Sequence, residues 1–516
     1  MWPLLNSTNI SFMFESPGLS LKIFSQRSCC TFTPGLGSGL LRCIIGLLVL
    51  AIPFDSLSAQ TLRPADETPL PPASPVISGP VSPPVGDKLK PGMALDDDPF
   101  TPYLNRIPPQ VLREIPAPSK TPAVPSGVKL RHLLIKSFEA QTANGPVANE
   151  IYAVVALPDP IPAGRKLPGL LVLHGGAGSC DVAGAIRWAG RGYAAVAVDL
   201  PGIGDQKIMV STGSFKDVPK YGAHQFDAEP DVTRGTVFMG IVAGIDGFKL
   251  LQHLPEVDSA RLGIVGISWG GYTTTMLCSL LGDQVKAAYS LYGGGFYELN
   301  GFRRRLGELS PEAHLAWVKY MDPGYRAPSI RAAFFFAAAA NDIFFQPPSI
   351  QATYAQVPEP KNVVFVPNVS HSLFSRKNGI SVRDQEKEWF DYHLKGEGES
   401  FPKIVTTLGK GPQVKFTVQS KRTIVRAQLY YSLVPSVKDQ TEGKDLKSWN
   451  NKTWYLEHAR LNPNGEYTAT IPGSNKPDET GDCWYALVTD DRGVSVSSPL
   501  QVFRFNPANM PPDGGL

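Results

Sequence analysis

The sequence predicts an α/β fold: a mostly parallel sheet with helices on both faces, followed by a small all-β sandwich. Three observations carry that reading. Short runs that are apolar on both faces recur between residues 168 and 367, as buried parallel strands do. Helix-length amphipathic segments alternate with those runs. After Gly398 the helical periodicity stops, and strand-like segments bounded by turn residues take over.

Composition narrows the class of protein. The chain has 516 residues, of which 42% are hydrophobic and 18% charged, enough for two or three domains with a sizeable core. Lys plus Arg is 49 and Asp plus Glu is 46, a net charge of +3. A near-neutral chain without a basic stripe is not built for nucleic acid. Gly (49) and Pro (48) are both abundant, and the prolines are unevenly spread.

Residues 1–59 read as a signal peptide. Lys22, Arg27 and Arg42 precede the apolar run Ile44 to Phe54, and small residues follow up to Ser58-Ala59-Gln60. That is the order of an export signal. The run is about a dozen residues against the roughly 20 of a membrane span, so no integral span is expected after signal removal. An uncleaved anchor is the alternative, and Met13 is an alternative start. The expected location is secreted or periplasmic. Cys180, Cys278 and Cys483 are the cysteines beyond this segment, an odd number without a Cys-x-x-Cys pair. That suggests neither a disulfide scaffold nor a metal site.

Residues 60–127 hold 17 prolines. Each proline fixes φ and removes a donor, which predicts an extended, mostly disordered spacer. From Val128 the pattern becomes regular. His132 to Phe138 and Ile151 to Leu157 read as paired strands. Pro168 to Leu173, Tyr193 to Leu200, Leu262 to Ile267, Lys286 to Leu291, Ala332 to Ala340 and Asn362 to Pro367 read as buried strands. Between them, Val182 to Arg191, Val232 to Leu254, Gly271 to Leu281, Pro347 to Val357 and Val382 to Leu394 read as helices. Residues 128–398 form the predicted catalytic domain.

Residues 399–516 form the predicted β-sandwich. Its strands are Val414 to Gln419, Ile424 to Ser432, Lys452 to Ala459, Tyr467 to Ile471, Trp484 to Thr489 and Val494 to Phe505. Trp449, Trp454 and Trp484 there would either fill a core or offer a stacking surface for sugar.

Gly266-Ile-Ser268-Trp-Gly270 matches Gly-x-Ser-x-Gly, at the end of a strand and the start of a helix. In that context the motif forms a turn so tight that its flanking positions have no room for a Cβ. The serine hydroxyl then stands exposed above the sheet. A serine needs a base, and the base an acid. His371 follows the last buried strand, on the same edge of the sheet. Asp342 follows Ala332 to Ala340 on that edge. Asp322 and Asp283 compete as acids, although Asp283 lies at the opposite end of its strand. Of the other histidines, His174 reads as a turn-shaping residue, and His224 as a loop residue facing substrate. The oxyanion donors expected are the N–H of Trp269 and one from His174-Gly-Gly-Ala-Gly178, with Gly176 ahead of Ala177.

These residues resemble the α/β-hydrolase superfamily, through HGGAG at 174–178, VDLPGIGD at 198–205, GISWGG at 266–271, AANDIFFQP at 339–347 and PNVSHS at 367–372. Within it the chain is similar to acetyl xylan esterases, dienelactone-hydrolase-like proteins and the PhoPQ-activated pathogenicity-related proteins. Dienelactone hydrolases carry a cysteine where Ser268 stands. The resemblance implies Ser268 as nucleophile, His371 as base and Asp342 as its orienter.

The function expected is that of a secreted serine hydrolase. It would cleave carboxylic esters, with acetyl esters of carbohydrate as one substrate class, through an acyl-enzyme and without metal or organic cofactor. Tyr221 and His224, in an overhanging loop from Ile203 to Asp231, are the expected substrate contacts. Tyr297, Phe302 and Arg303 to Arg305 belong to a helical insertion that would form either a lid or a solvated face. A serine peptidase of the prolyl-oligopeptidase type and a non-catalytic module on the same fold are the competing readings. The sequence leaves the oligomeric state open.

Overall fold

Strands covered on both sides must be apolar at every position, and that requirement shapes the main sheet. The computed structural model describes residues 89–502, with breaks at 96, 107, 143–144, 162, 218–224, 409–412, 433–448, 450–451 and 472–482. The signal-like segment 1–59 and residues 60–88 lie outside the described residues. The strands of the main sheet are β1 (Val111–Glu114), β2 (Val128–Thr142), β3 (Gly145–Pro158), β4 (Leu167–Leu173), β5 (Ala194–Val198), β6 (Val257–Ile267), β7 (Ala287–Leu291), β8 (Ala333–Ala339) and β9 (Lys361–Val366). They lie in the order β1-β2-β3-β5-β4-β6-β7-β8-β9. From β5 to β9 every pair is parallel, and β1, β2 and β3 join antiparallel at one edge. Strands β4, β5, β7 and β8 are buried along their whole length.

The helices are α1 (Thr101–Leu104), α2 (Val182–Ala189), α3 (Thr236–Gln252), α4 (Trp269–Leu281), α5 (Arg303–Gly307), α6 (Pro311–Met321), α7 (Pro323–Arg326), α8 (Pro347–Gln356) and α9 (Val382–Phe390). Helices α2, α3, α4 and α9 pack on the sheet. Every residue of α3 from Thr236 to Leu251 is buried. Short helices α5 to α7 form the insertion between β7 and β8.

The chain passes from β4 out to β5, then returns to the other side of β4 as β6. The loop after β4 and the turn after β6 therefore leave neighbouring parallel strands at the same carboxyl edge of the sheet. Ser268 and the His174–Gly178 loop both sit there.

The described part of the Pro-rich segment is not the free spacer that its composition predicts. Phe100 is buried and stacks on Phe238 of α3, with ring centroids 4.7 Å apart. Asp98 accepts hydrogen bonds from Arg326 at 2.6 and 3.1 Å. Strand β1 pairs with β2. The prolines permit this by position. Pro102 stands in the first turn of α1, where its missing N–H has no helical partner to lose. Strand β1 contains no proline and sits at the edge of the sheet.

The C-terminal region forms two small antiparallel sheets. One has the order β10 (Lys403–Leu408), β11 (Gln413–Gln419), β15 (Tyr467–Thr470), β14 (Arg460–Leu461). The other runs β13 (Tyr455–His458), β12 (Ile424–Ser432), β16 (Cys483–Asp490), β17 (Ser495–Ser497), with β18 (Gln501–Val502) also on β16. Trp449, Trp454 and Trp484 are all buried, so they fill space and offer no sugar-stacking surface. Strand β17 reaches the main sheet's last strand: Phe365 N–H donates to Ser497 Oγ at 3.0 Å. That covers an edge which would otherwise invite pairing with another chain.

The turn between β6 and α4 is closed backbone to backbone. A Cβ on Gly266 would stand 2.2 Å from the Gly270 carbonyl oxygen, and one on Gly270 would stand 2.4 Å from that of Leu173. Gly266→Ala should therefore destabilise the chain by about 3 kcal/mol, read as a clear fall in Tm against wild type.

His393 gives the fold an acid-sensitive point. Its ring lies 4.2 Å from that of Trp389, and burial pushes its imidazole from 6.5 down to about 4, with the charge of Lys286 adding to the effect. Between those values the unfolded chain takes up a proton that the native chain refuses. The stabilisation is thus complete above 6.5 and is lost as pH falls toward 4, by about 3 kcal/mol in all. His393→Gln should flatten that slope, measured as the wild-type-minus-variant difference in unfolding free energy from pH 7 to pH 4.

Candidate active site

Ser268 sits at φ 57° and ψ −122° as the residue preceding α4. A non-glycine residue at such angles is strained. Its N–H donates to Leu291 O at 2.8 Å, and its carbonyl accepts from Tyr272 N–H at 2.9 Å, which anchors the strained turn on both sides. A serine at a helix N-cap usually turns its hydroxyl onto the first turn, as Ser310 and Ser381 do at α6 and α9. Ser268 makes no such cap. Its Oγ lies 2.9 Å from His371 Nε2 instead.

His371 Nδ1 lies 2.7 Å from Asp342 Oδ2. The side chain of Asp342 is fully buried, and its other oxygen accepts the N–H groups of Phe344 and Phe345 at 2.8 and 3.0 Å. Two fixed amide donors orient the carboxylate. An ionised carboxylate only accepts, so Nδ1 carries the imidazole proton and Nε2 keeps the lone pair that faces the serine hydroxyl. The three residues come from the carboxyl ends of β6, β8 and β9.

The imidazole is held by aromatic neighbours. Tyr292 has its ring centroid 4.1 Å from that of His371, and its hydroxyl accepts the Leu373 N–H at 2.5 Å. The Phe344 ring meets His371 edge-on at 5.1 Å, and Phe345 lies at 6.2 Å. Sequence reasoning missed Tyr292. The signal was present: it is the first residue beyond β7, the strand beside the serine's own. Phe344 and Phe345 stood inside a quoted phrase without a role.

The loop after β4 lies against the serine turn. A Cβ on Gly175 would meet Ser268 Cβ at 3.3 Å and Ile267 O at 3.0 Å. His174 fixes this loop. Its Nε2 accepts the Leu200 N–H at 2.9 Å, so its Nδ1 donates to Gly175 O at 2.8 Å. Burial pushes His174 below its ordinary value, in keeping with a neutral ring that shapes a turn. The Ala177 N–H is committed to Ile203 O at 3.1 Å, and the Gly178 N–H to Gly175 O at 3.2 Å. That favours Gly176 over Ala177 as a donor. Trp269 opens α4, so its amide belongs to the first turn, whose donors have no intrahelical acceptor.

The competing acids take other places. Asp322 is fully buried between α6 and α7 and accepts the N–H groups of Phe296, Tyr297 and Gly324 at 2.7 to 2.8 Å. Burial pushes its carboxyl up to about 7 against the pull of those amides. It shapes the insertion and does not meet His371. Asp283 lies in the turn that enters β7. Tyr297 and Phe302 are buried, and with Phe226 and Phe345 they surround the Trp269 indole, while Trp317 packs behind them on Phe226 and Tyr297. They form a packed aromatic wall. Tyr221 and His224 lie outside the described residues. Among the described residues, no group of three His, Cys, Asp or Glu is arranged to hold a metal, and no helix is long and apolar enough to cross a membrane.

Comparison with known proteins finds distant structural likenesses and one family match. Two acetyl xylan esterases resemble it, each at 18% identity. That of Thermoanaerobacterium sp. JW/SL YS485 has a TM-score of 0.44, covering 56% of this chain and 92% of its own. That of Paenibacillus sp. R4 has a TM-score of 0.42, covering 57% and 92%. The acylaminoacyl peptidase of Pyrococcus horikoshii, at 20% identity and a TM-score of 0.39, covers 54% of this chain and 43% of its own. No curated protein matches the sequence. The dienelactone hydrolase family profile matches residues 151–408, half of the chain, from within β3 to the end of β10, and on that match this protein belongs to the dienelactone hydrolase family.

Proposed function

We propose that this protein is an exported serine hydrolase that cleaves carboxylic esters of short acyl groups, acetyl esters of carbohydrate among them. The observation that carries the reading is the continuous hydrogen-bonded chain from Ser268 Oγ through His371 to Asp342, built on a strained turn. His371 Nε2 takes the hydroxyl proton as Ser268 Oγ attacks the ester carbonyl carbon. The N–H groups of Trp269 and Gly176 hold the oxygen as it gains charge. His371 returns the proton to the leaving alcohol. A water molecule, deprotonated by the same imidazole, then releases the acid and regenerates the serine. Asp342 stabilises the imidazolium in both steps.

Two further observations support the finer parts. Rings of Phe302, Tyr297 and Phe345 pack on the Trp269 side chain next to the serine, and this close-packed apolar wall is the boundary we assign to the acyl site. The charged, apolar and small-residue order across Arg42, Ile44 to Phe54 and Ser58-Ala59-Gln60 supports export.

Ser268→Ala should lower kcat for p-nitrophenyl acetate by on the order of 10⁶-fold, with Tm preserved. Asp342→Asn should lower it by on the order of 10⁴-fold, because the amide favours the wrong imidazole tautomer. Across p-nitrophenyl esters, kcat/KM should fall from acetate to octanoate. Cleavage of a Gly-Pro anilide in preference to the acetate would contradict the ester reading.

A further inference from the structure

The phrases around the acid and the base each contain an asparagine that the chemistry above does not use. Asn341 directly precedes Asp342, and Asn368 stands three residues before His371. Both side chains reach into the C-terminal region. Asn368 sits at φ 53°, a left-handed conformation that asparagine tolerates better than most residues. Its Nδ2 donates to Trp454 O at 2.8 Å, and its Oδ1 accepts the Trp454 N–H at 2.8 Å. One side-chain amide thus pairs with both backbone groups of one residue, as a neighbouring strand would. Asn341 Nδ2 donates to the carbonyls of Trp449 and Lys452. The Trp454 indole N–H reaches Ala340 O at 3.3 Å.

The two loops are also tied to each other, since Asn341 N–H donates to Val369 O at 3.0 Å and Ala340 N–H to Val366 O at 2.8 Å. Trp449 and Trp454 are buried, and the Trp454 ring packs on Tyr485 of β16 at 5.0 Å. The contact is therefore rooted in a strand of the C-terminal sheet.

We propose that Asn341, Asn368 and Trp454 are positioning residues, through which the C-terminal β region clamps the loops carrying Asp342 and His371 and sets their distance from Ser268. The inference rests on the serine-hydrolase reading above and gives the C-terminal sheets a role in the reaction itself. The amide group is what the clamp requires. Only a side chain with one donor and one acceptor in that geometry satisfies Trp454 on both sides. Alanine or glycine removes both partners of the Trp454 backbone at a position open enough for water to replace them without fixing the loop, and aspartate sets a negative oxygen against the Trp454 carbonyl.

The test uses the full chain. Asn368→Gly keeps the positive φ without strain and removes only the amide. Trp454→Phe keeps a buried ring and removes the indole donor. With p-nitrophenyl acetate, each should lose kcat by roughly 10- to 100-fold, the effect of a displacement near 1 Å. KM and Tm should stay close to wild type. The downfield proton resonance of His371 Nδ1–H, read in these variants and in the same variants carrying Ser268→Ala, should weaken or move. This resonance reports the His371–Asp342 contact whether or not the chain turns over an ester. Unchanged kcat and an unchanged resonance in both variants would overturn the proposal. So would a fall in kcat that only follows a fall in Tm, with the resonance intact. A wild type without esterase activity, but with a resonance that responds to Asn368→Gly, would sink the ester reading and leave the clamp standing.

Discussion

The hydroxyl of Ser268 faces an imidazole because the backbone beneath it is held where serine does not rest of its own accord. At φ 57° and ψ −122° the side chain is turned away from its own helix and out over the sheet edge. Nothing local favours that state. It persists because the neighbours over-determine it: the Leu291 carbonyl fixes the amide, and α4 fixes the carbonyl. Two glycines allow strand and helix backbones to touch where any side chain would collide. The reaction geometry is thus a consequence of packing density at the carboxyl ends of β4 and β6. The glycine loop after β4 shares that packing, so the proposed oxyanion donors and the proposed nucleophile are set by one contact.

Around this point the chain assembles partners from far apart in sequence. His371 lies 103 residues from Ser268 and 29 from Asp342. Each stands on a loop that a parallel strand delivers to the same rim. Aromatic rings then restrict the imidazole, and two backbone amides restrict the carboxylate. The small sheets beyond residue 400 cover the β9 edge and grip both loops. In this account they are part of the machinery that holds acid and base in place.

Much of this was legible in the residues. Strands β4 to β9 announce themselves because burial on both faces leaves a run with no polar alternation, and the helices between them keep their period. The Gly-x-Ser-x-Gly turn, Asp342 and His371 could be placed because chain order and strand ends locate them on one edge. What escaped depends on contacts remote in sequence. Phe100 stacks on Phe238, and Asp98 pairs with Arg326 across 228 residues. No local pattern marks either contact, and the density of prolines pointed the other way. Strand β10 went unread because its alternation is short. Tyr292 was passed over because a tyrosine after a buried strand is by default a core residue. The tryptophans of the C-terminal region do fill a core, one of the two roles read for them, but the hydrogen bond of Trp454 to the loop before Asp342 left no local mark.

The central claim is that Ser268 becomes acylated during turnover. Acid quenching of the protein during turnover of p-nitrophenyl acetate, followed by peptide mass spectrometry, tests this most directly. The account predicts one acetyl group on the peptide that contains Ser268, and none on that peptide when the wild type is replaced by His371→Ala. An acetyl group found on another residue, or turnover with Ser268 never modified, would contradict it.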